Sequence, residues 1–202
     1  MPSPFRDPEL RGLGRAERRL GSPIRLDLPR PLVDQGDDAH RFSRNRIAEV
    51  LLVFPRPQGL LFHTKSFYPP GVWRLPSGGV RRHEAVDRAA EREAEEETGL
   101  RLAPVRFLFH LIQHLTVGSK ERAFHTLAFL FAASTEPVAP SDPVEQISAL
   151  RVFSWDEIPA IVQHLETLAP PWEAWGRFRA APHHLLLEVR AAQPEWFSAP
   201  AS

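Results

Sequence analysis

Residues 91–97 read Glu-Arg-Glu-Ala-Glu-Glu-Glu, in a chain of 202 residues whose 25 basic and 25 acidic side chains cancel. Like charges three or four positions apart weaken a helix, so the excess acid needs a reason. On a helix at about 100° per residue, Val86, Ala89 and Ala90 form one stripe, and Glu93, Glu96 and Glu97 extend it. Asp87, Arg88, Glu91 and Glu95 point the other way, as a solvated face does. A plain charged surface helix accounts for that second set. It accounts poorly for three carboxylates in line with core-facing alanines. Carboxylates held together with little solvent take up protons or bind a cation. Oxygen ligands without histidine or cysteine suit a hard ion, magnesium or manganese, which keeps waters and grips substrate phosphates. Gly78 and Gly79 precede the helix, where backbone can approach a ligand closely. Alone a Gly-Gly pair is a turn, and no Gly-Lys-Ser/Thr follows to make a phosphate-binding P-loop.

The whole stretch resembles the Nudix box, whose pattern is G, five residues, E, seven residues, then R-E-U-x-E-E-x-G-U with U apolar. Gly78, Glu84, Arg92, Glu93, Ala94, Glu96, Glu97, Gly99 and Leu100 stand at its positions. Ala94 is smaller than the usual aliphatic residue, and His83 stands where a glycine often precedes the glutamate. The resemblance to the Nudix hydrolase family extends over about residues 46–166. It implies an α/β fold, an α/β/α sandwich around a mixed β-sheet, and Mg2+-dependent hydrolysis of a nucleoside diphosphate linked to another group, with Mn2+ as substitute. By the same resemblance Glu93, Glu96 and Glu97 are metal ligands, with a backbone carbonyl near Gly78 as a further one. Glu84 is an additional acid near the metal, and Arg92 holds a box glutamate in place. Glu96 is the favoured general base. Glu145, in a loop outside the box, is the alternative base or a substrate contact, against the plainer reading of a solvated loop acid.

Other residues carry less. Trp73 and Arg74 precede the box and are candidate substrate contacts; the tryptophan equally suits core packing at a strand end, and the arginine suits phosphate or solvent. Phe67 and Tyr68 could stack on a base, although Tyr-Pro-Pro-Gly is first a turn. His110 and His114 share a strand face but stand roughly 13 Å apart, too far for one metal. Ser154 and Glu157 match a capping box, which leaves that glutamate no catalytic role. Two classes of function survive: a hydrolase, and a catalytically silent module that keeps the fold to bind a nucleotide. Loss of box residues would mark the second, and none is lost. Nucleoside triphosphates, nucleotide sugars and ADP-ribose-like compounds stay open as substrates.

The elements that must position these residues can be read more coarsely. Residues 49–54 and 60–65 are apolar runs around a turn, expected as a hairpin. Residues 105–117 and 123–134 are apolar on both faces, as strands covered on each side are. A strand near 150–153, a helix after it and a C-terminal helix over 172–189 follow. The organisation expected is an N-terminal extension or arm (1–45) with a strand at 24–28, one domain (46–166), and an extra C-terminal helix and tail (167–202). The absence of cysteine removes disulfide scaffolds, thiolate zinc sites and cysteine nucleophiles. There is no broad basic footprint for nucleic acid. No segment approaches a membrane span, and residues 1–21 hold no apolar signal-peptide core. A soluble cytoplasmic protein with a small nucleotide as partner is expected, and an arm is consistent with a homodimer.

Overall fold

The computed structural model describes residues 10–34, 48–117 and 120–197. The remainder of the expected N-terminal extension lies outside the described residues. Helix α1 (Leu13–Leu20) leads into strand β1 (Ile24–Asp34); β2 (Ala48–Val53), β3 (Pro55–Arg56), β4 (Gly59–Lys65) and β5 (Ser77–Gly79) precede helix α2 (Val86–Thr98). Strands β6 (Pro104–Val117), β7 (Lys120–Phe131) and β8 (Ile147–Phe153) follow, then helices α3 (Ile158–Glu166) and α4 (Glu173–Ala192). Five strands form a mixed sheet in the order β1-β6-β7-β2-β5, and β3, β4 and β8 form a second. Two apolar layers explain the both-faced hydrophobicity of the central strands. Val50, Leu52, Leu127 and Phe129 meet α1 and α2 through Ala16, Leu20, Val86, Ala89, Ala90 and Ala94. Leu51, Val53, Phe109 and Leu111 meet α3 and α4 on the other face, with Val162, Leu165, Phe178 and Leu186. Among the described residues no helix is long and apolar enough to cross a membrane.

One expectation about the sheets changes. The hairpin of 49–54 with 60–65 does not form as one sheet: β2 pairs with β5 and β7, whereas β4 pairs with β3 and β8. The chain turns out of the main sheet at Phe54, and the Leu61 N–H donates to the Phe54 carbonyl across the corner. The part of the N-terminal extension in view lies on the domain, with β1 parallel to β6 as an outer strand of the main sheet.

Helix α1 also alters the acidic helix. Asp87, expected on a solvated face, is fully buried. Arg15 donates to it at 2.6 Å, Arg19 stands at 3.6 Å, and the Val86 N–H donates to the Arg11 carbonyl. Burial alone would push the Asp87 carboxyl up, but the hydrogen bond and charge of Arg15, joined by Arg19, hold it below its usual range. A carboxyl depressed in the folded state stabilises above its unfolded pKa, about 3.9, and that stability is lost as pH falls through the folded value. Arg15→Ala is therefore expected to lower stability in urea unfolding at pH 7, with Arg19 left to offset part of the buried Asp87 charge. The difference from wild type should shrink below about pH 4; a cost that is constant down to pH 2 would show that the pair is not its source.

Candidate active site

The site is assembled on three supports: strand β5, helix α2 and the loop before β8. Strand β5 is the sequence Ser77-Gly78-Gly79, wholly buried, with Gly78 opposite Val50 of β2. Helix α2 ends at Gly99, whose φ of 74° suits a glycine and whose N–H closes on the Glu95 carbonyl. The loop before β8 is clasped to the same helix end: the Ser141 and Asp142 N–H groups donate to the Glu96 carbonyl, and Ser141 Oγ donates to the Glu95 carbonyl. Its one-turn helix, Pro143–Glu145, is capped by the Asp142 carboxylate.

These supports bring Glu93, Glu96 and Glu145 together, with one oxygen of each lying within 4.8 Å of the others. Glu145 is thus part of the cluster rather than a solvated loop acid. Gly78 is what lets Glu93 in, since a Cβ there would lie 1.7 Å from the Glu93 carboxyl carbon. Arg92 ties the rim. Its guanidinium takes Glu84 in a two-pronged bond (2.8 and 2.9 Å), and also donates to Glu93 at 2.6 Å, Glu96 at 2.7 Å and the Gly79 carbonyl at 3.0 Å. Arg81 adds a bond to the other Glu96 oxygen, and its N–H donates to Glu84. His83, standing at a glycine position of the box, has a φ of 67°, the left-handed turn that glycine adopts most readily.

Glu97 lies deeper than its neighbours and is fully buried. Its Oε1 is 3.4 Å from the Lys65 ammonium and its Oε2 is 3.5 Å from His63 Nδ1, with a hydrogen bond to neither. Burial pushes the Glu97 carboxyl up to about 8 against the pull of Lys65 and Arg74, with Glu93 and Glu145 adding to the rise. Glu93 is raised too, by burial first, in spite of Arg92. Glu84 behaves oppositely: burial would raise it, but the bonds from Arg92 and Arg81 hold it below its usual range.

Lys65, for which the sequence offers no motif, joins the site. It donates to Glu145 at 2.5 Å and faces Glu97. The period-two alternation of a strand does place Leu61, His63 and Lys65 on one face; what that face would meet was not legible. Arg74 is buried rather than solvated, its guanidinium donating to Tyr68 Oη (2.6 Å), the Leu75 carbonyl (3.0 Å) and Ser77 Oγ (2.7 Å). Trp73 packs edge-on against Phe153. His110 and His114 go separate ways, to His125 and to Asp27. The Glu157 carboxylate accepts from Ser154 N–H and Oγ, the capping arrangement expected.

Three observations fit a divalent cation. The donors that converge are all carboxylate oxygens. Glu93 Oε2 and both Glu97 oxygens are buried without a hydrogen-bond donor. Burial and mutual repulsion raise two of these acids, a strain that a cation relieves.

The model of the NUDIX domain matches residues 44–174. The chain belongs to the Nudix family. Among its relatives is the phosphatase NudJ of Escherichia coli strain K12, 33% identical over 88 residues, which are 43% of this chain and 54% of the relative. The chain thus spans about half the length of the curated relatives it matches. The solution structure of the E. coli ORF135 protein superposes with a TM-score of 0.52 at 20% identity, over 73% of this chain and 93% of that one. That likeness shows the fold alone, and it agrees with the Nudix sandwich described above.

Proposed function

We propose that this Nudix protein is a magnesium-dependent pyrophosphohydrolase, cleaving a diphosphate bond in a nucleoside diphosphate joined to another group. The observation that carries the reading is the convergence of Glu93, Glu96 and Glu145 on one point beside Gly78, under the control of Arg92. The name of its relative, a phosphatase, is in keeping with it. Glu93, Glu96 and Glu145 would hold the ion, with Glu97, whose two oxygens are buried without a hydrogen bond, as a further ligand behind them. A bound magnesium ion supplies charge stabilisation at the diphosphate and a water of lowered pKa. Arg92, anchored on Glu84, fixes the rotamers of Glu93 and Glu96, so the site is ordered before substrate arrives. Lys65 offsets part of the negative charge of Glu97 and Glu145. Glu96, the best exposed of the box acids in the cluster, takes the proton from the attacking water. Nucleotide sugars, ADP-ribose-like compounds and nucleoside triphosphates are the substrate classes to test.

The experiment is a panel of those three classes with the full chain and Mg2+, followed by release of nucleoside monophosphate or pyrophosphate. EDTA should abolish turnover, and excess Mg2+ or Mn2+ should restore it. Nucleotide binding without turnover of any compound would replace this reading with that of a silent nucleotide-binding module. Turnover that survives complete removal of metal would refute the metal-dependent scheme.

A further inference from the structure

His63 is the buried polar side chain near the site that the scheme above leaves without a task. It is fully buried, and neither ring nitrogen has a hydrogen-bond partner. Buried polar groups left unpaired are costly, and each one calls for a reason. Its backbone is pinned, because His63 and Arg74 exchange both N–H to carbonyl bonds at 2.9 and 3.1 Å. Its ring stands edge-on to Tyr68 and turns Nδ1 toward Glu97 Oε2 at 3.5 Å. Burial, with the nearby charges of Arg74, Lys65 and Arg179, disfavours the protonated ring. A neutral imidazole carries one N–H. The carboxylate oxygen facing Nδ1 is the acceptor that decides where that proton sits.

We infer that His63 is a positioning residue for Glu97, donating its Nδ1–H to Oε2 while Lys65 faces Oε1, so that this carboxylate is held in the orientation a divalent ion needs. The inference rests on the metal-dependent reading given above. The two donors act differently. Lys65 brings a positive charge that competes with a cation for the same carboxylate. A neutral N–H fixes the carboxylate's direction and leaves its charge available to the ion. Closing the present 3.5 Å gap to a normal hydrogen bond takes a shift of roughly half an ångström, within reach of a glutamate side chain. Outer partners of this kind, hydrogen-bonded to ligating carboxylates, typically account for about ten- to a hundredfold in metal affinity or activity.

Asparagine and glutamine separate this role from mere filling of space. The asparagine amide nitrogen sits where Nδ1 does along the side chain, and that of glutamine sits where Nε2 does. Mn2+ alone, titrated into the full chain and followed by EPR, reads binding without turnover. His63→Gln and His63→Phe should weaken Mn2+ binding by about ten- to a hundredfold, whereas His63→Asn should stay near wild type. In the activity assay the same loss should appear in kcat at fixed Mg2+, with the KM for nucleotide unchanged. Thermal unfolding of each variant controls for folding, and the asparagine–glutamine comparison stands even where the phenylalanine variant does not fold. In the metal-free chain above about pH 8, where the Glu97 carboxylate is ionised, 15N NMR of the imidazole should show the Nδ1–H tautomer. An Nε2–H tautomer, or asparagine and glutamine variants that bind Mn2+ equally, overturns the inference. Wild-type chain that binds no Mn2+ at all overturns the metal-dependent reading itself, a separate result.

Discussion

Replacing Glu96 by glutamine should lower kcat at saturating Mg2+ by about 10²- to 10⁴-fold, the range expected for loss of a general base. The side chain sits at the mouth of the cluster, about one-fifth exposed, with Oε1 facing Arg81 and Oε2 facing Arg92. Glutamine keeps the shape and one acceptor oxygen but removes the charge that receives a proton. Glu145→Gln is the paired measurement, since Glu145 shares the point where the acids meet. As a ligand that is not the base, it should lose activity that raised Mg2+ largely returns. The reverse pattern, with Glu96→Gln rescued by Mg2+ and Glu145→Gln not, would move the base into the loop. The comparison works because both carboxylates are fixed to the same helix end, Glu96 by its own backbone and Glu145 through the Ser141 and Asp142 bonds. Neither substitution touches the apolar layers, so stability should change little in either.

Gly78→Ala should cost activity far out of proportion to stability. The added Cβ would lie 1.7 Å from the Glu93 carboxyl carbon and 1.8 Å from Oε2, well inside contact distance. What must yield is the end of a glutamate side chain, not the backbone, so the fold can accommodate the methyl. The price is borne by Glu93, which leaves the bond to Arg92 and the point shared with Glu96 and Glu145. Misplacement of a site group by about 1 Å costs on the order of 10²-fold in rate. A loss of that size in kcat, with the melting temperature near wild type, is the expected result. Gly78→Ala with kcat within a few-fold of wild type would mean that the Glu93 position in contact with this glycine is not the working one.

The residues show which parts of this arrangement were legible in one dimension. Helix α2 was, because periodicity and a terminal glycine are local signals; its register placed Glu93, Glu96 and Glu97 on one stripe, of which Glu93 and Glu97 are buried while Glu96 stays about one-fifth exposed. Asp87 was not, since its partners Arg15 and Arg19 arrive from a helix some seventy residues earlier in the chain. Arg74 differs, because its acceptors, the Tyr68 hydroxyl, the Leu75 carbonyl and Ser77 Oγ, lie within six residues of it; what spacing does not carry is the fold of the segment between β4 and β5 that buries the guanidinium among them. The apolar runs of β2 and β4 were seen as strands, while turn chemistry between them is silent about which sheet each one joins. Glu145 lay in a loop with nothing local to tell it from other acids. For Asp87, Glu145 and the two strands the missing information was a contact between distant segments, which composition and spacing do not encode.

Strand β1 has a consequence for where this protein can be cut. It runs along the outer side of β6, a strand of 14 residues rich in leucine and phenylalanine. A fragment trimmed to residues 44–174 would lack β1 and leave that side of β6 bare, a row of open N–H and carbonyl groups that recruits other chains. The same trimming removes the arginines that neutralise Asp87 beneath the acidic helix. A fragment that begins after β1 is therefore expected to self-associate more than the full chain, a difference that size-exclusion chromatography of the two would read.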